Sequence, residues 1–319
     1  MTGDTRKPGR AAVDVDRAQD FTPEQIKARL AGILLIVVTV AFFSVLDTTA
    51  KYLSQELPTL QVVWFRFTSH FVMAIFFFRV WKRRHILHTK RPVLQVVRSL
   101  GLLGTTIFNF MALRYLQLSD TVTIMFAGPL LVTALAGPVL GEWAGRRRWT
   151  AIGVGFLGVL IVTRPGLGGL HWAVSLSLAA MICYAVYALT TRILTETDSV
   201  DGMLLISGAV ASLAMTPVVV TVWETPQSLG TWALLCSTGF FGGFGHWLLT
   251  KAHAIVPAPV LAPFFYSQIV WMVALGYIVF GDVPGFTTIL GASVIVGSGL
   301  YLLYRERQLN RSSAPVPKA

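Results

Sequence analysis

The thirteen residues Ala41-Phe-Phe-Ser-Val-Leu-Asp-Thr-Thr-Ala-Lys-Tyr-Leu53 recur, loosened but legible, 141 positions later as Ile182-Cys-Tyr-Ala-Val-Tyr-Ala-Leu-Thr-Thr-Arg-Ile-Leu194. A second match runs from Ala112 to Glu142 and from Ala252 to Asp282, ending Val-Leu-Gly-Glu in one copy and Val-Phe-Gly-Asp in the other. The chain therefore reads as two related halves. Each half holds an odd number of apolar segments of membrane length, so the second copy is expected to enter a bilayer upside down relative to the first. Inverted repeats of this kind build secondary transporters, whose substrate site lies where the halves meet.

The bilayer enters through composition. Hydrophobic residues make up 54% of the 319-residue chain and charged residues 13%, too little polar surface to cover a soluble fold of this size. A spanning helix needs about 20 apolar residues. Ten such segments are expected, at 31–53, 58–79, 92–115, 118–140, 147–164, 171–194, 200–222, 229–254, 258–280 and 285–304. The predicted fold is thus all-α and integral to the membrane: ten transmembrane helices as two inverted five-helix repeats around a central cavity. The expected divisions are a disordered tail over 1–29, a first repeat over 30–166, a second over 167–306 and a second tail over 307–319.

The net charge of +11 does not point to nucleic acid, because the basic residues flank the apolar segments. Arg6, Lys7, Arg10, Arg17, Lys27 and Arg29 precede the first, Arg79, Lys82, Arg83, Arg84, Lys90 and Arg91 surround the second loop, and Arg146, Arg147 and Arg148 lie in the fourth. Arg305, Arg307, Arg311 and Lys318 follow the last. The alternate loops are short and nearly free of Lys and Arg, so the positive-inside rule places both termini in the cytoplasm. The first 28 or so residues mix both charge signs and lack an apolar stretch ending in a small-residue cleavage site, which reads as a cytoplasmic tail rather than a signal peptide. Cys183 and Cys236 sit inside apolar segments without metal-ligand spacing and are read as packing residues.

Glycine and proline mark where helices approach and break. The run Gly239-Phe-Phe-Gly-Gly-Phe-Gly245 reads as a close helix crossing or as backbone bared to a cavity. Pro129 and Pro138 in the fourth segment, and Pro257, Pro259 and Pro263 opening the ninth, interrupt helical hydrogen bonding. Such breaks survive in a membrane where they face protein or water, so these two repeat-related segments are expected to wall the cavity.

At this point the chain resembles the drug/metabolite transporter superfamily, in its ten-helix EamA type. The likeness is carried by Phe42-Phe-Ser-Val-Leu-Asp-Thr-Thr-Ala-Lys-Tyr-Leu53, by Trp64-Phe-Arg-Phe67, by Ala112-Leu-Arg-Tyr-Leu-Gln-Leu-Ser119 running into Pro129 and Leu140-Gly-Glu142, and by Gly158-Val-Leu-Ile-Val-Thr-Arg-Pro165. It extends over both halves, from about residue 30 to 306. The resemblance implies a basket in which the first four spans of each half surround the cavity while the fifth and tenth lie outside, often at a dimer contact. It implies a bacterial inner-membrane transporter working without ATP. No Gly-x-x-x-x-Gly-Lys-Ser/Thr loop is present, and no cofactor, metal or enzymatic activity is expected. Amino acids, nucleoside-like metabolites, vitamins and drugs are all handled by similar proteins.

Ionisable groups within the membrane cost about 2.5–3.5 kcal/mol each on insertion scales, so each needs a partner or a task. Asp47 and Arg66 are expected at depths of about 9 and 12 Å from the same side, forming either a structural pair or a site for substrate or proton. His70, one turn beyond Arg66, is either a coupling-proton carrier or a packed, hydrogen-bonded ring. Arg98 shares a helical face with Thr105 and Asn109, reading as a wet stripe or as an arginine snorkelling to headgroups. Gly242, His246 and Thr250 form a matching stripe, with His246 ranked above the neighbouring Lys251 and His253. Lys51 aligns with Arg192 across the repeat, so both are expected mainly to anchor helix ends. Tyr266, Ser267, Gln268 and Trp271 interrupt the ninth segment, as Tyr184 and Tyr187 do the sixth, and are candidate substrate contacts. An amino-acid-like solute suits this mix of Asp, Arg and His better than a purely cationic one. The competing classes are an intramembrane enzyme, disfavoured because aspartyl chemistry needs a second deep carboxylate, and a non-transporting scaffold.

Overall fold

The computed structural model describes residues 23–143, 145–164, 171–256 and 258–312. Among these the chain is helical throughout, without strands. In order the helices are α1 (Pro23–Glu56), α2 (Thr59–Phe77), α3 (Pro92–Leu113), α4 (Leu118–Met125), α5 (Gly128–Leu140), α6 (Arg146–Thr163), α7 (Val174–Leu194), α8 (Val200–Thr221), α9 (Leu229–Ile255), α10 (Ala258–Phe265), α11 (Gln268–Leu275) and α12 (Phe286–Ser312), with a π-helical turn over Gly276–Phe280. Helix α1 begins ahead of the expected first repeat and α12 runs on past its expected end. The glycine-rich loop over 165–170 and Pro257 lie outside the described residues.

Eight helical stretches are long and apolar enough to cross a membrane, two fewer than the ten expected. The other two expected segments are present as α6 and α9. Helix α6 opens on three arginines and α9 is diluted by glycine, so each is long enough but less apolar. The chain is a multi-pass membrane protein.

The fourth and ninth expected segments are each split, and the splits correspond. One falls at Phe126–Ala127 between α4 and α5, the other at Tyr266–Ser267 between α10 and α11. The ends correspond as well. Gly141 and Gly281 both adopt left-handed backbone, with φ of 76° and 70°, and in both the following residue turns its N–H back onto the helix: Glu142 to the Ala136 carbonyl at 3.2 Å, Asp282 to that of Gly276 at 3.1 Å. Only glycine takes this conformation without steric penalty, and the pattern closes orphan carbonyls at a helix end. Each cap delivers a carboxylate, Glu142 or Asp282, just beyond the last turn.

Packing is dominated by α3 against α7, α1 against α9, α6 against α12, and α2 against both α8 and α9. In lipid such contacts depend on close backbone approach. A methyl group on Gly101 would sit 3.1 Å from the Tyr187 backbone nitrogen, and one on Gly291 would sit 2.7 Å from the Gly158 carbonyl. The glycines of the fifth and tenth expected spans are therefore largely used within the chain, although Gly153 and Gly297 face open space. In the α9 run, Gly239 and Gly243 abut α2 at Ser69 and His70, Gly245 abuts Phe43 of α1, and Gly242 faces Leu46 and Arg66. The close-crossing reading holds at Gly239, Gly243 and Gly245, while Gly242 stands in ordinary contact rather than beside open space.

Candidate functional site

Four helices converge on a polar cluster in the middle of the bundle. Helix α1 brings Asp47, α2 brings Arg66 and His70, α3 brings Asn109 and α9 brings His246. Asp47 is half-buried on α1. Its Oδ1 accepts a hydrogen bond from Asn109 Nδ2 at 3.2 Å.

Arg66 is 4% exposed and lies within electrostatic reach of Asp47 and of Tyr187. The expected Asp47–Arg66 contact is not formed. The two carboxylate oxygens make no direct ion pair with the guanidinium, whose Nε and Nη1 find no acceptor among the described residues. One face of the guanidinium lies over the Phe67 ring, 4.2 Å from its centre, so the unsatisfied part is its in-plane edge. An unpaired buried cation is costly and does not persist without a partner of some kind.

His70 follows one turn later, buried, its ring against the α9 backbone at Gly243 and its Nδ1 without a partner. That answers half of the packed-histidine expectation: the ring is packed, but not hydrogen-bonded at Nδ1. His246 stacks at a tilt on Phe43, with centroids 5.1 Å apart, and lies within electrostatic reach of Arg66 and His70. Thr250 bonds back to the His246 carbonyl at 2.9 Å, while Lys251 and His253 are exposed.

Arg98 departs from both of its expected roles. It is 2% exposed and each of its three guanidinium nitrogens has an acceptor: Thr191 at 2.8 Å, the Met203 carbonyl at 3.0 Å, Ser207 at 2.6 Å and the Tyr187 hydroxyl at 3.3 Å. It neither snorkels nor lines a wet face; it ties α3, α7 and α8 together. Tyr187 lies between this tie and Arg66.

The residues of the ninth segment are not brought into the cluster. Tyr266 packs edge-on against Phe126 at 5.1 Å, so the two residues at the repeated helix breaks meet each other, and its hydroxyl end abuts Gly299 of α12. Gln268 is half-buried at the start of α11, and Trp271 is 40% exposed. Tyr184 packs on Gly128, beside the other break.

Two ion pairs were not anticipated. Lys51 Nζ lies 2.7 Å from Asp282 Oδ2, with side chains 8% and 23% exposed, and 4.5 Å from the centre of the Phe280 ring. Arg192 holds Glu142 with both terminal nitrogens, at 2.9 and 2.6 Å, and this pair is 60% and 50% exposed. Neither base is a plain anchor of a helix end, as had been expected. The sequence signal was available: Lys51 aligns with Arg192 and Glu142 with Asp282, so the repeat matches base to base and acid to acid. Near the first pair, Thr288 of α12 donates to Asp120 at 2.6 Å. At the other end of the bundle Asp198, in the α7–α8 loop, accepts from the Thr89 hydroxyl at 2.5 Å and the Gln95 amide at 2.7 Å. Burial pushes the Asp198 carboxyl up, but these bonds, with those from Thr197 and the Lys90 backbone, hold it below its ordinary value.

A family model described as the EamA-like transporter family matches residues 30–164 and again 171–305. A relative from Rickettsia prowazekii (strain Madrid E), an S-adenosylmethionine uptake transporter, is 29% identical over 89% of this chain and 96% of its own length. A riboflavin transporter from Vibrio cholerae is 25% identical over 88% and 96%, and a pseudopaline exporter from Pseudomonas aeruginosa 25% identical over 83% and 93%. One solved crystal structure of a protein superposes with a TM-score of 0.59 at 16% identity, covering 89% of this chain and 99% of that one, which speaks to fold alone. With the helix breaks, the caps and the family model all repeating at a spacing of about 140 residues, the chain belongs to the EamA-like transporters of the drug/metabolite transporter superfamily, and carries two copies of the domain.

Proposed function

We propose that the chain is a secondary transporter of a small organic metabolite, working by alternating access between two inverted five-helix repeats and without ATP hydrolysis. The observation that carries this reading is the pair of repeat-related ion pairs, Lys51–Asp282 and Arg192–Glu142. Lys51 ends the first helix of one repeat and Asp282 the fourth segment of the other; Arg192 and Glu142 exchange those positions. Two contacts exchanged by a symmetry operation, at opposite ends of one bundle, suit gates that open in turn.

The opposite placement follows from the chain path. Lys51 and Asp282 lie near Asp120 at the start of α4, and α3 ends one short turn before that start. Gln95, at the beginning of α3, lies instead beside Asp198, just past the end of α7. Helix α1 thus runs toward the end that α7 runs away from. The loops at the Asp198 end carry Arg79, Lys82, Arg83, Arg84, Lys90, Arg91, Arg146, Arg147 and Arg148, against Arg114 and Arg164 in the loops of the other end, which supports a cytoplasmic location for that end and for both termini, in a bacterial inner membrane.

Relatives named for S-adenosylmethionine, riboflavin and pseudopaline share a scale of substrate, so S-adenosylmethionine and riboflavin are the first solutes to test. The full chain, purified into liposomes, is expected to give saturable counterflow of a small organic solute. Cysteines placed at 51 and 282 in a background lacking Cys183 and Cys236, joined by a short thiol-reactive crosslinker, should stop flux, and cleavage should restore it. Flux unaffected by complete crosslinking would count against the gate.

A further inference from the structure

We propose that the central cluster is a clasp for an α-amino-acid group, with Arg66 taking the carboxylate and Asp47, oriented by Asn109, taking the ammonium. This rests on the transport reading above and narrows the class of solute. The starting point is Arg66. Its Nε and Nη1 are buried without an acceptor, while Phe67 covers one face of the guanidinium. Nη2 has no hydrogen-bond partner among the described residues either, so the edge formed by Nε and Nη2, which faces Gly242, is unpaired, the shape that matches the two oxygens of a carboxylate.

Beside that edge α9 presents backbone rather than a side chain. A methyl group added at Gly242 would lie 3.6 Å from both Nε and Nη2, and 3.5 Å from Leu46. That is ordinary contact: the gap beside the fork takes a methyl group, and a longer side chain would project against the guanidinium. The glycines of α9 thus pack closely at Gly239 and Gly245 and keep side-chain bulk off the fork at Gly242.

Asp47 supplies the second pole. Asn109 occupies one of its oxygens, and the other accepts no hydrogen bond among the described residues. Its charge lies close enough to Arg66 to interact but is not in contact with it. Two opposite charges held near each other and kept apart leave a gap that a zwitterion completes. A simple carboxylate would satisfy Arg66 and leave Asp47 uncompensated; a simple amine would do the reverse. Arg98 does not compete for the carboxylate, because its nitrogens are already bonded to Thr191, Met203, Ser207 and Tyr187.

The test is counterflow into liposomes containing the full chain, with L-α-amino acids graded in side-chain size from alanine to S-adenosylhomocysteine. Each is set beside its carboxamide and its N-acetyl derivative, with uridine as a solute lacking both groups. At least one amino acid should move, and masking either charged group should reduce its flux at least about tenfold, since a site built to bond a polar group rejects analogues that lack it. Arg66→Gln should erase the preference for acid over carboxamide; Asp47→Asn should erase the preference for free over acetylated amine. Arg66→Lys, which keeps the charge and loses the fork, separates misfolding from lost recognition: a folded variant with weakened acid preference supports the clasp, and one with unchanged preference overturns it. If uridine moves while no amino acid does, or masked and free forms move alike, the clasp is wrong and transport stands. If nothing moves, both fall.

Discussion

Arg98 and Arg66 are the same residue type at similar burial, and their surroundings give them opposite roles. Each guanidinium nitrogen of Arg98 has an acceptor, so removing it unties Met203 and Ser207 of α8 and Thr191 and Tyr187 of α7 from α3, at a cost of about 1–3 kcal/mol for any buried group left without another partner. Arg98→Met is expected to lower the thermal unfolding midpoint of the detergent-solubilised protein markedly, with Arg98→Lys between it and the parent. Arg66→Met should be neutral or mildly stabilising in the same measurement, since it removes an unpaired buried cation. Asp198 gives a prediction in pH. Its folded carboxyl lies below its ordinary value of 3.8, so its contribution is complete above that value and is lost as pH falls through the lower, folded one. Unfolding scans of the parent and Asp198→Asn should differ at about pH 6 and draw together only as pH falls below 3.8 and through the lower folded value; a gap that persists in stronger acid would show that the carboxylate charge is not the cause.

At the level of elements, glycine position separates helix contacts from lipid-facing surface. Gly158 and Gly291 let α6 and α12 touch backbone to backbone, whereas Gly153, one turn away on α6, meets nothing within 4 Å. Gly158→Ala should therefore lower the unfolding midpoint, because its methyl would lie 3.0 Å from the Gly291 carbonyl and 2.6 Å from Ile295. Gly153→Ala should raise it slightly, by up to about 1 kcal/mol, from helix propensity alone. Equal effects from the two would mean that α6 and α12 do not cross there. The broken segments follow the same logic. Phe126 and Tyr266 meet at corresponding breaks, so the irregular backbone of each is covered by the other and lies away from lipid, the condition under which such breaks are tolerated.

Across the whole molecule the ion pairs connect distant halves of the chain. Lys51 and Asp282 are far apart in sequence and largely buried together, so each single reversal, Lys51→Asp or Asp282→Lys, would oppose like charges in a poorly solvated setting. Each is expected to reduce transport strongly, and the double exchange to recover part of it. The exposed Arg192–Glu142 pair should tolerate reversal better, since solvent screens it. Equal sensitivity of the two pairs, measured as initial rates in liposomes, would contradict that ranking.

The repeat in the sequence was enough to locate the helices. The expected fourth and ninth segments end at residues 140 and 280, one residue before the glycines that cap them, Gly141 and Gly281, because glycine punctuation, apolar length and helical spacing are local properties. The sequence also singled out Asp47, Arg66, His70, Asn109 and His246, since an ionisable or amide group in an apolar run is conspicuous wherever it later sits. Partnership was not legible. That Asp47 bonds Asn109 rather than Arg66, that Arg98 has an acceptor at each nitrogen, and that Lys51 and Arg192 hold carboxylates from the opposite repeat all depend on which helix faces lie together. Tyr266 and Trp271 show the same limit from the other side, as aromatic interruptions that tertiary packing directed to a helix break and to the surface. A side chain's chemistry is written at its own position, whereas its partners come from other segments, 50 residues away for Arg192 and Glu142 and 231 for Lys51 and Asp282, and only the folded arrangement brings them within bonding distance.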